Sequence, residues 1–311
     1  MDKSRIFRSN WRKIQLLLFI YMAGVATIAQ PQQVALSQVI RFRSELNIPV
    51  NAPEALAVTS RGDFYVTDPE NNRIVRVSQE GNVTEVRGQF GWQPEEFDYP
   101  ADIVLAQNLN LYVADYYNQR LQHYDRNLNF IRTIPLISRD ESVRYYPKSV
   151  DQAADERIYV LDAEQNQLLQ LNQSGDYVRS LATFSEVGGE LTDAAKLRVS
   201  PLGDIWVLSP GETNVYRFDR FGTFKRSQAI PSVHNPVGIG FFNDSLAIVA
   251  GTEQMLVGLG NNRTVPLQVA LPREKVGQFT DAVSSRQKLY VLCANPAAIL
   301  VFSVKSPVEN E

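Results

Sequence analysis

The apolar residues of this chain fall into short runs that recur at a nearly fixed distance. The six runs have similar lengths and compositions, and they lie at 65–68, 112–115, 159–162, 206–209, 246–250 and 290–293. The residues that close the first three runs, Asp68, Asp115 and Asp162, are 47 positions apart, and the later spacings are looser. Self-similarity with a period between about 20 and 50 residues indicates a repeat fold with one supersecondary unit per copy.

Each copy has the same internal order of strands and turns. In the first copy, four strands are predicted at 55–58, 64–67, 73–77 and 83–86, and the turns between them contain Gly, Asn or Asp. The inner strands read as continuous apolar runs, which is expected where sheets pack face to face, and the outer strands are more polar. The pattern predicts an all-β fold, a six-bladed β-propeller of four-stranded antiparallel blades, as a single domain over 39–304.

The two ends of the repeat region predict how the ring closes. The sixth copy supplies three strands, the last of them at 299–304, and no outer strand follows. A spare alternating strand lies ahead of the first blade, at 39–43. We therefore predict that this N-terminal strand pairs beside 299–304 and completes the last blade, which leaves no blade with an open edge.

The segments outside the repeats have a different composition. Residues 1–29 contain five basic residues and one acidic residue, followed by an apolar run and a small-residue cleavage site, which is the order of a secretory signal peptide. The apolar run is short for a membrane span, although an uncleaved anchor is the alternative. Residues 305–311 form a polar tail. These features predict export to the periplasm, the outer envelope or the extracellular space.

The charge balance bears on partners. The chain has 31 Lys and Arg residues against 34 Asp and Glu residues, and loss of the signal peptide leaves 26 against 33. Because an acidic surface repels phosphate groups, we do not expect nucleic acid as a partner.

Two stretches of the chain resemble a known repeat. Residues 115–121 resemble the core of the NHL repeat, with an Asp, two spacers, Asn, one residue, Arg and an aliphatic residue, and residues 68–74 match it as well. The linker at 88–100 resembles the connection between NHL repeats, whereas the later copies keep mainly the strand pattern. The resemblance implies an NHL-like propeller and leaves the activity open, because propellers have many unrelated functions.

The polar residues of this motif are predicted to be structural. A carboxylate at the end of a strand can accept hydrogen bonds from the N–H groups of the following turn, and the Asn and Arg can hold the same turn. The predicted turn residues are Asp68, Asn71, Arg73, Asp115, Asn118, Arg120 and Asp162.

The sequence offers no recognisable catalytic or metal-binding motif. The chain has two histidines, His123 and His234, which cannot form a three-histidine zinc site, and it lacks a nucleophile elbow, a phosphate loop and a dinucleotide fingerprint. We therefore predict no catalytic residues, no metal ligands and no cofactor. A divalent cation at the channel mouth, as in propellers that resemble gluconolactonase, is the alternative, because propeller sites are assembled from distant blades.

One face of the ring is predicted to carry the binding site. Strands alternate in direction within a blade, so the turns after the second strand and the linkers between blades open on the same face. The aromatic residues predicted on this face are Trp92, Tyr99, Tyr116, Tyr117, Tyr145 and Tyr146. Aromatic residues beside a few charges are typical of interface cores.

These observations favour a non-catalytic function. The chain is predicted to be an exported monomeric scaffold that binds a protein, a peptide or a glycan. The alternatives are a metal-dependent hydrolase or lyase and a structural subunit of a cell-envelope complex. Contact with a membrane is expected only through an uncleaved signal or an envelope partner.

Overall fold

A computed structural model describes residues 40–106, 108–183, 194–211, 213–243, 246–260, 264–267, 271 and 276–304. For residues 40–45, 182, 183, 243 and 246 it describes the backbone alone. The predicted signal peptide at 1–29 and the predicted tail at 305–311 lie outside these residues.

The strands form six sheets of four antiparallel strands arranged as the blades of a propeller. Blades 1 to 3 contain β2 (Leu56–Val58), β3 (Phe64–Asp68), β4 (Arg73–Val77), β5 (Val83–Arg87), β6 (Pro100–Leu105), β7 (Leu111–Asp115), β8 (Arg120–Tyr124), β9 (Phe130–Pro135), β10 (Pro147–Gln152), β11 (Ile158–Asp162), β12 (Gln167–Leu171) and β13 (Tyr177–Thr183). Blades 4 to 6 contain β14 (Lys196–Val199), β15 (Ile205–Ser209), β16 (Asn214–Phe218), β17 (Phe224–Ala229), β18 (Pro236–Asn243), β19 (Leu246–Gly251), β20 (Met255–Leu259), β21 (Thr264–Leu267), β22 (Gln278–Ser285), β23 (Lys288–Ala294), β24 (Ala298–Val304) and β1 (Ile40–Asn47). The predicted all-β six-bladed propeller is confirmed.

The sixth blade takes its outer strand from the beginning of the repeat region. β1 pairs antiparallel with β24, with Ile40 opposite Val304 and Asn47 opposite Ala298. The strand is longer than the predicted 39–43 and contains an irregularity between Phe42 and Ser44. The edge of β24 is thereby covered by another strand of the same chain.

The burial pattern explains why the blades assemble. The second strands β3, β7, β11 and β15 are buried at every position, whereas the outer strands β5 and β17 contain only exposed and half-buried residues. Each pair of neighbouring blades shares one cluster of buried apolar side chains, so six such clusters run around the ring of described residues. No blade can bury both of its faces alone, and the closed ring provides the missing partners.

Blades 5 and 6 approach one another more closely at the axis than side chains would allow. A methyl group added at Gly238 of β18 would lie 2.0 Å from the backbone nitrogen of Ala282 in β22. One added at Gly240 would lie 2.8 Å from a terminal methyl carbon of Leu289. Gly238 therefore lets the innermost strands of these blades pack backbone to backbone, and Gly240 leaves room for the side chain of Leu289.

Helical structure is scarce in the described part of the chain. It includes a short 3-10 turn at Pro69–Asn71. No helix among those residues is both long and apolar enough to cross a membrane.

Candidate functional site

The channel of the propeller is crossed by a buried ionic network. Equivalent positions of the inner strands carry Asp102 in blade 2, Ser149 in blade 3, Lys196 in blade 4 and Asp281 in blade 6. The first three lie opposite the second-last residue of the second strand, and Asp281 lies opposite Leu292, two residues before the end of β23. Lys196 Nζ lies 2.9 Å from Asp102 Oδ1 and 2.8 Å from Asp281 Oδ2. Since these residues belong to alternate blades, the contacts pass across the axis. We call the four charged residues Asp102, Lys196, Arg198 and Asp281 the channel network.

Arg198 completes the channel network from one layer deeper in β14. Its guanidinium lies 2.9 Å from Asp102 Oδ2 and 3.2 Å from Asp281 Oδ2. All four charged side chains are less than a tenth exposed. Two carboxylates therefore face two cations, and this balance offsets much of the cost of burying each charge.

The network shifts the protonation of its members. Burial raises the pKa of Asp102, but the charges of Arg198 and Lys196 outweigh burial and hold that pKa well below its usual range. Burial lowers the pKa of Arg198, whereas Asp102 and Asp281 raise it further, so the net shift is upward. Both residues remain charged across the physiological range of pH.

The acceptors of the inner strands also join neighbouring blades. The innermost strand of a blade has a free edge, and its N–H groups need partners. Asp281 accepts the N–H of Leu56 at 3.0 Å, and Asp102 accepts that of Val150 at 3.1 Å. Ser149 Oγ accepts the N–H of Leu197 at 3.0 Å. These bonds replace the missing edge strand at three junctions between blades.

The NHL motif of blade 2 organises the linker before it. Asp115 accepts hydrogen bonds from Asn118 Nδ2 at 3.0 Å, from Arg120 Nε at 2.7 Å and from the backbone N–H of Asp98 at 2.8 Å. Arg120 also donates to the carbonyl oxygens of Trp92, Gln93 and Glu96, between 2.7 and 3.0 Å. The backbone partner lies in the preceding linker, and not in the following turn as the sequence suggested.

Blades 1 and 3 vary this arrangement. Asp68 accepts from Asn71 Nδ2 at 3.0 Å and from Arg73 Nε at 2.8 Å. In blade 3 Asp162 accepts the N–H of Tyr146 at 3.1 Å, and Gln167 replaces the arginine at 3.3 Å. The carboxylates of all three blades are fully buried.

Four of the six predicted aromatic binding residues form one group on the predicted face. The rings of Tyr99, Tyr116 and Tyr117 meet edge to face, with centroids 4.9 to 6.2 Å apart, and Tyr146 lies 5.6 Å from Tyr116. Tyr117 is 57% exposed, and Tyr99, Tyr116 and Tyr146 are half-buried. We call these four residues the tyrosine cluster.

Charged residues surround the tyrosine cluster. Tyr116 donates a hydrogen bond to Glu164 at 2.6 Å. Lys148 pairs with Glu54 at 2.7 Å and lies 5.5 Å from the ring centroid of Tyr99, a cation–π contact. Burial and then Glu54 raise the pKa of Tyr99, and burial and then Glu164 raise that of Tyr116. Both phenols therefore stay neutral hydrogen-bond donors.

The two remaining predicted residues lie apart from the cluster. Trp92 is 72% exposed on the linker that Arg120 holds in place. The prediction for Tyr145 needs a correction, because its side chain is 5% exposed and stacks on Tyr177 with ring centroids 5.8 Å apart. Tyr145 belongs to the apolar contact between blades 2 and 3, and Tyr146 alone of the pair reaches the surface cluster.

The histidines lie apart from one another and from these sites. His123 is buried and stacks on Tyr112, with ring centroids 4.6 Å apart, and burial followed by the charge of Arg132 lowers its pKa to about 4. His234 is exposed in the linker after blade 4. Across the described ranges, no three His, Cys, Asp or Glu side chains are grouped to hold a metal ion.

The channel network was missed from the sequence, although a signal for part of it is present. Asp102, Ser149 and Lys196 are 47 residues apart, which is the spacing of the strand-end aspartates. Polar residues at one register of otherwise apolar inner strands indicate a shared location at the axis. Asp281 falls outside the strict spacing, because the later copies differ in length.

The fold and the Asp115 motif define the class of protein, a six-bladed β-propeller that contains an NHL repeat. The family model described as "NHL repeat" matches residues 97–124, which contain the Asp115 motif and the linker end that it holds. NHL repeat-containing protein 3 of Mus musculus is 35% identical over 78 residues, and that of Homo sapiens is 32% identical over the same length. Each match covers 24% of this chain and 22% of the relative, so the likeness concerns less than a quarter of those proteins.

Solved structures resemble the chain over most of its length. A streptogramin B lyase matches with a TM-score of 0.58 and 13% identity, over 87% of this chain and 89% of the lyase. A catalytically inactive virginiamycin B lyase from Staphylococcus aureus, solved with quinupristin, matches with a TM-score of 0.57 and 11% identity, over 86% of this chain and all of that one. At this identity the likeness establishes the fold alone.

Proposed function

We propose that this propeller is an exported, non-catalytic binding protein that engages a protein or peptide through the tyrosine cluster and Trp92. The observation that carries the proposal is the tyrosine cluster, in which three rings meet edge to face and Tyr117 is exposed, together with the exposed Trp92 on the same face. Large aromatic side chains bury much apolar area for little loss of side-chain entropy, which is why they dominate binding energy at interfaces.

The rigid attachment of the linker supports the proposal. Arg120 fixes the carbonyl of Trp92, and Asn118 donates to the carbonyl of Gly91 at 2.8 Å. Gln122 holds the same linker through the N–H of Glu95 and the carbonyl of Glu96. An anchored loop loses little conformational entropy when a partner binds, and here the backbone at Trp92 is already fixed before the partner arrives.

The test is a pull-down from envelope and secreted fractions, followed by affinity measurement on the partner recovered. We expect the double variant Trp92→Ala with Tyr117→Ala to weaken binding about 30-fold or more, as truncation of interface hot spots does. Phe221→Ala is the matched control, because Phe221 is also 57% exposed but lies on the opposite face. Equal affinity of the double variant and the wild type would refute the proposal, and recovery of a glycan would change the ligand class.

The fold likeness to two lyases keeps an enzyme as the second candidate. A metal-dependent hydrolase or lyase of the kind expected from gluconolactonase-like propellers requires a tightly held divalent ion at the channel. Stoichiometric metal in the purified protein would favour this candidate over the binding function. A structural subunit of an envelope complex would instead co-purify in a fixed ratio with other envelope proteins.

A further inference from the structure

The channel opens on the face opposite the tyrosine cluster into a cavity of about 370 Å³. Residues from all six blades line it, at the ends of the inner strands that lead into the first turn of each blade. Its lining is mixed: the half-buried apolar side chains of Val104, Val199 and Phe241 contribute to the walls, and Asp151 and Arg198 form the floor. We call this space the inner cavity. Its size falls within the range of small-molecule sites, which combine apolar walls with a few polar groups.

The floor of the inner cavity carries a carboxylate with unused acceptor capacity. Asp151 accepts the backbone N–H of Val199 at 2.7 Å and that of Gln152 at 2.7 Å. A carboxylate has about four lone-pair sites, so two of them remain for a ligand. Among the described residues, Asp151 has no cationic side chain within ion-pair distance, because Arg198 is directed to Asp102 and Asp281.

The charge of the floor favours a cation. The two cations of the channel network balance its two carboxylates, so Asp151 adds a negative charge that the network does not neutralise. Burial raises the pKa of Asp151 to about 6, the charge of Arg198 opposes this rise, and Asp102 adds to it. Arg286 also borders the cavity, but it is exposed at the rim, where solvent screens its charge.

We propose that the inner cavity binds a small organic cation, a primary ammonium group with a short apolar chain. The ammonium group would donate hydrogen bonds to Asp151, and the chain would contact the half-buried Val104, Val199 and Phe241. This site is separate from the tyrosine cluster, because the channel network lies between the two faces of the ring.

The proposal is tested by isothermal titration of the mature propeller with n-butylammonium chloride at pH 8. We expect saturable binding to the wild type, and Asp151→Asn should weaken it about tenfold or more, because a hydrogen bond to a charged group is lost. Asp155→Asn is the matched control, since Asp155 is an exposed acid in the adjacent turn and should leave the affinity unchanged. n-Butanol, which has the same chain without the charge, should not distinguish the Asp151 variant from the wild type.

A second variant tests the same site in case Asp151→Asn fails to fold. Ala154 is exposed at the rim of the inner cavity, so Ala154→Phe should block the entrance without disturbing the core. Binding should be lost in this variant while its melting temperature stays that of the wild type. Lowering the pH from 8 to 5 should weaken binding to the wild type about tenfold. At pH 5, one unit below the pKa of Asp151 of about 6, only about one-tenth of this carboxylate is ionised. Absence of wild-type binding, or equal binding by either cavity variant, would overturn the proposal.

Discussion

At the residue scale, Arg120 explains why the NHL motif of blade 2 needs an arginine. One guanidinium satisfies the buried carboxylate of Asp115 and three carbonyl oxygens of the linker between blades 1 and 2. A lysine has a single charged nitrogen and could not reach these separated acceptors at once. The motif therefore joins a turn within one blade to the chain that enters that blade.

Replacing this arginine should cost more stability than replacing its counterpart in blade 1. Arg120→Ala leaves a buried carboxylate and three carbonyls without their partner, and should lower the free energy of unfolding by about 3 kcal/mol. Arg73 is 31% exposed, so water can replace part of its contact with the buried Asp68, and Arg73→Ala should cost about 1 to 2 kcal/mol. Urea unfolding of the two variants measures the difference, and equal losses would contradict this account of Arg120.

The sequence predicted which motif residues are polar and paired, but not all of their partners. The N–H groups of Asp98 and Tyr146 come from linkers that lie 17 and 16 residues before the aspartates that they contact. Their positions depend on how one blade packs on the next, which no local pattern contains. The same limit applies to Tyr145 and Tyr146. Adjacent residues of an extended segment point to opposite sides, but which of the two is buried depends on how the blades pack.

At the scale of elements, β1 is the strand whose role depends most on a distant partner. The alternating pattern and the missing outer strand of the last copy were enough to predict its location, because an unpaired edge at β24 would be unfavourable. The exact bounds were not predictable, since the pairing extends to Asn47, beyond the clear alternation.

Removal of β1 should therefore destabilise the whole ring. A chain that begins after Asn47 exposes the edge of β24 and loses the contact of Leu46 with the apolar cluster between blades 6 and 1. We expect the melting temperature to fall by about 10 °C, which corresponds to a loss of about 3 kcal/mol or more for a domain of this size. A chain that begins at Ile40 is the control and should melt as the full chain does. Scanning calorimetry of the two truncations provides the measurement.

At the scale of the whole molecule, the channel network ties together blades that are not neighbours. Blade-to-blade packing follows from the repeat, and the six-bladed ring could be predicted from the spacing alone. The contact of Asp281 with Lys196 at the axis could not be predicted in this way, because it depends on the ring diameter and on the register of inner strands in copies of unequal length.

The channel network should give the protein a defined dependence on acid. The pKa of Asp102 is lower in the folded protein than in the unfolded chain, so its contribution to stability is present above about pH 4 and is lost as the pH falls through the folded value. Asp102→Asn should cost about 3 kcal/mol at pH 7, because Lys196 and Arg198 then share one carboxylate. The gap in melting temperature between variant and wild type should narrow from pH 4 to pH 2. A gap that stays constant would show that the ionised carboxylate contributes nothing.

The pairing of β1 with β24 also sets the order of events when the chain folds. Blades 1 to 5 are each made of consecutive strands, so each can form as soon as its own segment is available. Blade 6 cannot, because its outer strand is the earliest segment of the ring to be synthesised and its other three strands are the latest. β1 therefore stays unpaired until β24 has been synthesised, which is almost the end of the ring. Pairing β1 with β24 brings together segments that are far apart in sequence, and the loss of chain entropy makes such contacts slow to form. We therefore expect ring closure to be the final and rate-limiting step of folding.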